Sequence, residues 1–222
     1  MNSHEHPVLS PFQPVVAPLS NGGYVGVFST RDTRDRAVLR ARVWSPRRRP
    51  LTRDEFDVNT SPAGPLGELP VLGPDFIVAP TSDGGFAVAW TFRDDRSTRI
   101  LLRRFDAEGH PTTPERVAAA ARPAVLGPLS AAFNNRGDLL LLWSEITPGN
   151  PTSRTNLQIR RFGPSLTRLG GSSDVHSSAS GEFLQPFCGS VAASGSDWLV
   201  SWLAVKDDLA SSAVFVRRFA DH

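Results

Sequence analysis

Several residue types and patterns are scarce in this chain, and each shortage narrows what the protein can be. Cys188 is the only cysteine among 222 residues, which excludes an internal disulfide and a zinc site built from cysteines. Long apolar runs are also missing. The longest, GDLLLLWSE at 137–145, is the length of a strand, whereas a membrane-spanning helix needs about 20 apolar residues. We therefore expect no membrane span.

An excess of one charge is missing as well. The chain has 24 Lys and Arg against 22 Asp and Glu, a formal net charge of +2, and Lys206 is its sole lysine. A mixed surface of this kind lacks the basic patch of a nucleic-acid-binding protein, so we expect no nucleic-acid partner. Hydrophobic residues make up 40% and charged residues 21%, a balance typical of chains that bury a core.

Sequence motifs for cellular targeting or for catalysis are scarce too. The first residues, MNSHEHPVLSPF, lack the basic start and apolar stretch of a secretory signal, which taken literally predicts a cytoplasmic protein. We find no nucleophile elbow, P-loop or dinucleotide fingerprint. The sequence therefore predicts no catalytic residue, no metal site and no organic cofactor.

What the sequence does contain is a repeat. Four segments that each combine a turn with a strand align by eye: NGGYVGVFST at 21–30, DGGFAVAWTF at 83–92, RGDLLLLWSE at 136–145 and GSDWLVSWLA at 195–204. A second element follows each of them: AVLRARVWSP at 37–46, RILLRRFDAE at 99–108, LQIRRFGPSL at 157–166 and VFVRRFADH at 214–222. The second elements start 62, 58 and 57 residues apart. A period near 60 indicates a repeat architecture.

Each unit is predicted to contain four antiparallel strands, with no helical pattern anywhere, as in a β-propeller blade. The fold expected is an all-β propeller of four four-stranded blades in a single domain, 1–222, with units at about 11–60, 74–120, 123–178 and 183–222. Residues 5–10, EHPVLS, are expected to complete the last blade and close the ring. A β-sandwich, and an open half-ring that pairs with a second copy, are the alternatives.

The recurring residues are interpreted as structural. Gly84 and Gly85 supply a tight hairpin turn, while Trp90 and Phe105 pack between blades. An Arg recurs beside the aromatic residue, at positions 42, 104, 161 and 218 in this alignment, and is expected to stack on it or to pair with a carboxylate. The tripeptide RGD at 136–138 falls on the turn that reads DGG in the second unit, so we interpret it as turn chemistry.

The pattern DGGFAVAW followed by LLRRFDAEG, within residues 83–109, resembles repeats found in tandem in large secreted or surface proteins of bacteria. The match covers all four units, although the first has Phe28 in place of the Trp, and the third and fourth replace Gly-Gly with RGD and GSD. The resemblance implies a propeller-like fold and an extracellular history. It implies no catalytic residue.

The loops between the second and third strands of each unit are the predicted binding face, because a rigid scaffold commonly presents function on its loops. Their charged residues would grip a hydroxyl-rich ligand, a carboxylate or a calcium ion, and Trp198 would stack on a sugar if it lies at a blade edge. The candidate ligand-binding residues are Arg31, Asp32, Arg34, Asp35, Arg93, Asp94, Asp95, Arg96, Asp207, Asp208 and Trp198.

From these observations we expect a non-enzymatic binding module that recognises a glycan or a protein partner. A structural part of a larger surface or particle assembly, with association between copies of the chain, is the first alternative. A glycosidase or lyase that uses the central channel is the second, and it requires carboxylates that converge there from different blades.

Overall fold

A computed structural model of the chain describes residues 12–31, 37–60, 76–93, 97–122, 124–147, 154–176, 185–206 and 211–220. Every regular element in these ranges is a β-strand, and the strands form four antiparallel sheets. The all-β class is therefore confirmed. Residues 5–10, which were expected to close the ring, lie outside the described ranges.

Each sheet is built from consecutive strands in sequence order. The first sheet contains β1 (Phe12–Pro18), β2 (Tyr24–Arg31), β3 (Ala37–Trp44) and β4 (Phe56–Asp57). The second contains β5 (Phe76–Pro80), β6 (Phe86–Arg93), β7 (Thr98–Phe105) and β8 (Arg116–Ala121). The third contains β9 (Val125–Phe133), β10 (Leu139–Thr147), β11 (Arg154–Phe162) and β12 (Ser173–Asp174). The fourth contains β13 (Gln185–Ser194), β14 (Asp197–Val205) and β15 (Ser212–Phe219).

The glycine turns bring the first and second strands of a sheet together. Gly84 has a φ of 90°, which only glycine adopts at little cost. Gly85 is needed for a different reason, because a Cβ on it would lie 2.4 Å from the carbonyl oxygen of Phe105. The hairpin closes with a bond from the Thr81 N–H to the Gly85 carbonyl of 2.9 Å. The predicted role of both glycines in the turn is confirmed.

Alternation along the second strand gives every sheet two unlike faces. We call the face that carries Tyr24, Phe86, Leu139 or Trp198 the leading face, and the face that carries Val25, Ala87, Leu140 or Leu199 the trailing face. Three apolar clusters each join the trailing face of one sheet to the leading face of the next. The sheets therefore stack in chain order, as the blades of a propeller do.

Trp90 and Phe105 are both buried in the cluster between the first two sheets, which confirms their predicted position. Strand register shows that Phe105 pairs with Phe86, as Trp44 pairs with Tyr24 and Phe162 with Leu139. The equivalent third-strand aromatics are therefore Trp44, Phe105, Phe162 and Phe219.

This register corrects the alignment of the arginines by one residue in the first unit. Arg42 corresponds to Arg103 rather than to Arg104, because each lies two residues before its aromatic. The side chains at this position stack on rings: Arg103 lies 5.5 Å from the centre of Phe105, and Arg217 lies 5.0 Å from that of Phe219. The neighbouring position, that of Arg104, pairs with a carboxylate instead. Both predicted roles are present, on adjacent residues.

Candidate functional site

Antiparallel pairing gives the stack of sheets two opposite ends. The turns between first and second strands lie at one end, which we call the turn end. The predicted binding loops, between second and third strands, lie at the other, which we call the loop end.

At the turn end, hydrogen bonds tie neighbouring sheets together. The Ser20 hydroxyl lies 3.0 Å from the carbonyl oxygens of both Thr81 and Ser82. Farther along the stack, the Asn134 side-chain amide donates to the carbonyl of Ser196 at 2.8 Å, and the Asn135 N–H donates to that of Gly195 at 2.9 Å. The polar groups of this end therefore serve the scaffold.

Asp83 is a carboxylate of the turn end that has several hydrogen-bond partners. It accepts a hydrogen bond from the Thr81 hydroxyl at 2.5 Å and one from the Arg104 guanidinium at 2.5 Å. The Thr81 bond above all, with the Gly85 N–H and the Arg104 charge, lowers the pKa of Asp83 from its ordinary value of 3.8, against the opposing effect of partial burial. Its charge is committed to holding the hairpin.

The RGD tripeptide also belongs to this end. Gly137 has a φ of 82°, and the Asn134 side-chain oxygen accepts from the N–H groups of Arg136 at 3.0 Å and Asp138 at 2.9 Å. These bonds satisfy the backbone of a tight turn. The interpretation of RGD as turn chemistry is confirmed.

The loop end holds the predicted binding residues, and the structure describes only part of it. Asp32, Arg34, Asp35, Asp94, Asp95, Arg96, Asp207 and Asp208 lie outside the described ranges. Arg31 ends β2 opposite Ala37, and Arg93 ends β6 opposite Thr98. The fold therefore brings these two residues to the loop end of adjacent sheets.

Trp198 does not lie at the surface. Its side chain is 1% exposed, and its indole N–H donates to the Ala132 carbonyl of the third sheet at 2.9 Å. Trp198 occupies the leading-face position of Tyr24 and Phe86. The proposed sugar-stacking role is therefore corrected to a packing role, because no ligand reaches a ring buried between two sheets.

Glu145 is a loop-end residue that the sequence analysis did not single out. It lies near the end of β10, opposite Leu126 and Asn156, and is partly exposed. Leu139, Leu141 and Trp143 precede it on the same face, so a carboxylate that ends an apolar alternation is the signal that would have found it. Among the described residues where second strands end and third strands begin, Glu145 is the only carboxylate.

A histidine lies against aromatic rings where the third sheet meets the fourth. The imidazole of His176 lies 5.5 Å from the Phe215 ring and 6.0 Å from the Trp202 ring, which stack on each other at 5.6 Å. Sequence reasoning missed this contact because His176 follows β12, a strand of two residues. The His176 imidazole and the Phe215 ring are both partly exposed, so this group of rings lies near the surface.

Other chemistry is sparse in the part of the chain that the structure describes. The first strands of the four sheets, which face the centre of a propeller, carry no Asp, Glu or His. No group of three or more metal-binding side chains occurs within the described ranges. The same ranges hold no helix with the length and apolarity to cross a membrane.

Comparison with known proteins adds a likeness of fold. No protein-family model and no curated protein sequence matches the chain. Among solved structures, the α-L-arabinanase from Penicillium chrysogenum, complexed with arabinobiose, is 12% identical with a TM-score of 0.57; the match covers 95% of this chain and 63% of that one. The Hadza microbial sialidase is 11% identical with a TM-score of 0.56, covering 95% and 45%.

An exo-1,5-α-L-arabinanase from a bovine ruminal metagenomic library is 11% identical with a TM-score of 0.51, and the match covers 94% of this chain and 73% of that one. These likenesses define the chain as an all-β protein of the propeller type. They also overturn the expected function. A non-enzymatic binding module was predicted, whereas the similar structures are those of arabinanases and a sialidase.

Proposed function

We propose that this protein is a glycosidase. The observation that carries the proposal is the likeness of nearly the whole chain to two arabinanases and a sialidase. The identities are low, and a fold hosts more than one function. The reaction must therefore be tested on the residues of this chain.

The sequence-based alternative placed the glycosidase site in the central channel, and we propose a different place for it. Glycoside hydrolysis uses a pair of carboxylates, one as acid and one as base or nucleophile. The described first strands carry none, so we place the pair at the loop end. Glu145 supplies one carboxylate, and an aspartate from a neighbouring loop, such as Asp94 or Asp95, supplies the other. The turn end is unsuitable because Asp83 is bound to Thr81 and Arg104.

The test is hydrolysis of arabino-oligosaccharides and of sialylated glycans, followed by the release of sugar. We expect turnover of one class by the wild-type protein and a fall in kcat of about 100-fold or more in Glu145→Gln, the usual effect of removing a general acid or base. Glu108→Gln is the matched control, because Glu108 is exposed in the turn after β7, at the opposite end. No turnover of either class, or full activity in Glu145→Gln, contradicts the proposal.

Calcium binding by the loop aspartates is a separate proposal. Carboxylates are the oxygen ligands that calcium prefers, and Asp94, Asp95, Asp207 and Asp208 occur in pairs along the sequence. We expect calcium to raise the melting temperature of the wild-type protein and to raise it less in the Asp94→Asn/Asp95→Asn variant, which keeps Asp207 and Asp208. Equal melting temperatures with calcium and with a chelator contradict it.

We also propose that each sheet is one blade, so that the chain contributes four blades to a propeller. The uniform order of strands and the trailing-to-leading contact between successive sheets support this count. The resemblance of the units to tandem repeats of bacterial surface proteins stays a prediction alongside it.

A further inference from the structure

The stack of sheets ends in two uncovered faces of opposite kind. Among the described residues, each of the three apolar clusters between sheets joins a trailing face to a leading face. The first sheet therefore keeps a leading face, and the fourth keeps a trailing face, that no sheet in the described residues covers. No strand of the first sheet packs extensively against a strand of the fourth in those ranges.

The trailing face of the fourth sheet is apolar and exposed. Val214 is 73% and Val216 59% exposed, and Leu199 and Leu203 lie beside them on the same face. Register makes Val216 the equivalent of Ala41, Leu102 and Ile159, all of which are buried. Four large apolar side chains in one patch mark an interaction surface.

The leading face of the first sheet is its counterpart. Val16 on β1 is 67% exposed, whereas the equivalent Val191 on β13 is buried. Beside it, Tyr24 stacks on Trp44 at 5.2 Å, and Phe28 occupies the position that Trp90 fills in the second sheet. This is an aromatic leading face of the type that covers trailing faces elsewhere in the chain.

Arginine side chains donate hydrogen bonds across the interfaces between sheets, both to the preceding sheet and to the following one. From a leading face, Arg103 donates to the Val58 carbonyl of the preceding sheet at 2.9 Å, and Arg160 donates to the Ala118 carbonyl in the same way. From a trailing face, Arg104 donates to the Pro164 carbonyl of the following sheet at 2.5 Å.

Equivalent arginines lie on the two end faces, where no sheet of the described residues is placed to accept their hydrogen bonds. Arg42, equivalent to Arg103, bonds within its own sheet to the Arg53 carbonyl at 3.3 Å. Arg218, equivalent to Arg104, pairs with Asp197 and has a side chain that is 75% exposed. Pro46 of the first sheet lies two residues after Trp44, just as Pro164 lies two residues after Phe162.

We propose that the trailing face of the fourth sheet binds the leading face of the first sheet of a second copy of this chain. Val214, Val216, Leu199 and Leu203 pack on Val16, Tyr24 and Phe28 of that copy, and Arg218 donates to its Pro46 carbonyl. Such a contact joins unlike surfaces, so it closes into a ring only if the rotation per copy fits. Two copies supply eight blades, within the usual range of about four to eight.

The test measures the mass of the full chain in solution by light scattering and analytical ultracentrifugation over a wide range of concentrations. We expect the mass to rise from the monomer value of 24.1 kDa to twice that value. Val216→Asp and Val16→Asp each remove one end face, and because both side chains are exposed, both variants should fold with wild-type circular dichroism. Each variant alone should be monomeric.

The decisive step is to mix the two variants. Val216→Asp keeps a leading face and Val16→Asp keeps a trailing face, so the mixture should form dimers that neither variant forms alone. Leu169→Asp is the control: Leu169 is 45% exposed in the turn after β11, close to the 46% of Leu199, and this variant should dimerise like the wild type.

Any one of three results would overturn the proposal. The first is a wild-type chain that stays monomeric at every concentration. The second is normal dimerisation of both single variants, and the third is a mixture of the variants that stays monomeric. A dimer of Val16→Asp alone would mean that trailing faces bind each other, and a wild-type chain that stays monomeric would mean that another partner covers the patch. None of these outcomes depends on the proposed hydrolysis, which uses the loop end.

Discussion

The guanidinium of Arg104 donates to the carboxylate of Asp83 at 2.5 Å across the hairpin of the second sheet. The fourth sheet repeats this bond between Arg218 and Asp197, with the Arg218 Nε at 2.6 Å. The two carboxylates come from different places in their turns, three residues before Phe86 in one and directly before Trp198 in the other. The second and fourth sheets therefore share an arginine–aspartate pair, although the aspartate stands at a different position of the turn in each.

Replacing Asp83 with Asn should make the thermal stability of the protein depend less on pH in the acid range. The folded-state pKa of Asp83 lies below its ordinary value of 3.8, so its stabilising effect is complete above that pH and is lost as the pH falls through the lower folded value. An exposed pair of this kind contributes about 0.2–1 kcal/mol, or at most about 4 °C in Tm. Thermal unfolding should therefore show a gap between wild type and variant at neutral pH that closes in acid. A gap that is constant with pH contradicts this assignment.

Gly85→Ala should destabilise the second hairpin. A Cβ at this position would lie 2.4 Å from the Phe105 carbonyl oxygen, so the strands must separate, at a cost of about 1–3 kcal/mol. Gly171→Ala is the control, since nothing lies within 4 Å of a Cβ placed there. Urea unfolding of both variants measures the difference. Equal stability of the two would mean that the turn accommodates a side chain.

Trp198→Phe should cost more stability than Trp202→Phe. Both rings are buried between the third and fourth sheets, but only the Trp198 indole has a hydrogen bond, to Ala132, while that of Trp202 has none. Losing the bond and leaving the carbonyl unpaired costs about 1–3 kcal/mol beyond the change in volume. The free energies of unfolding decide the order, and the reverse order would show that the Ala132 contact adds nothing.

Arg103→Ala should loosen the contact between the first and second sheets. The side chain lies 5.5 Å from the Phe105 ring and donates to the Val58 carbonyl at 2.9 Å, and a bond from a charged donor contributes about 1.5–3 kcal/mol. Arg122→Ala, an exposed arginine after β8, serves as the reference. Hydrogen exchange at the Val58 region should speed up in the first variant and stay unchanged in the second.

The sequence predicted the strands well because their signals are local. Even the two-residue strands β4 and β12 supply the fourth strand that was predicted for the first and third units. The register of the arginines was misjudged because adjacent Arg residues look alike in a sequence. Only the pairing of Phe105 with Phe86 and of Trp44 with Tyr24 separates Arg103 from Arg104.

The site was less predictable, for two physical reasons. Trp198 was predicted to stack on a sugar, whereas its pairing with Phe219 makes it the equivalent of Phe86 and hence a core residue. Function depends on which residues meet across blades, and the repeated motif residues only build the blades. Glu145 breaks the repeat by placing a charge where Phe92 stands in the second sheet, and such departures from the repeat are the informative positions.

The equivalent aromatics Trp44, Phe105, Phe162 and Phe219 are separated by 61, 57 and 57 residues, and within the described residues each apolar cluster joins one sheet to the next along the chain. A gene of this kind can gain or lose one whole unit by recombination between equivalent codons, and every remaining interface still finds its proper partner surface. The number of units is therefore free to drift over evolution, while the composition of each face is not.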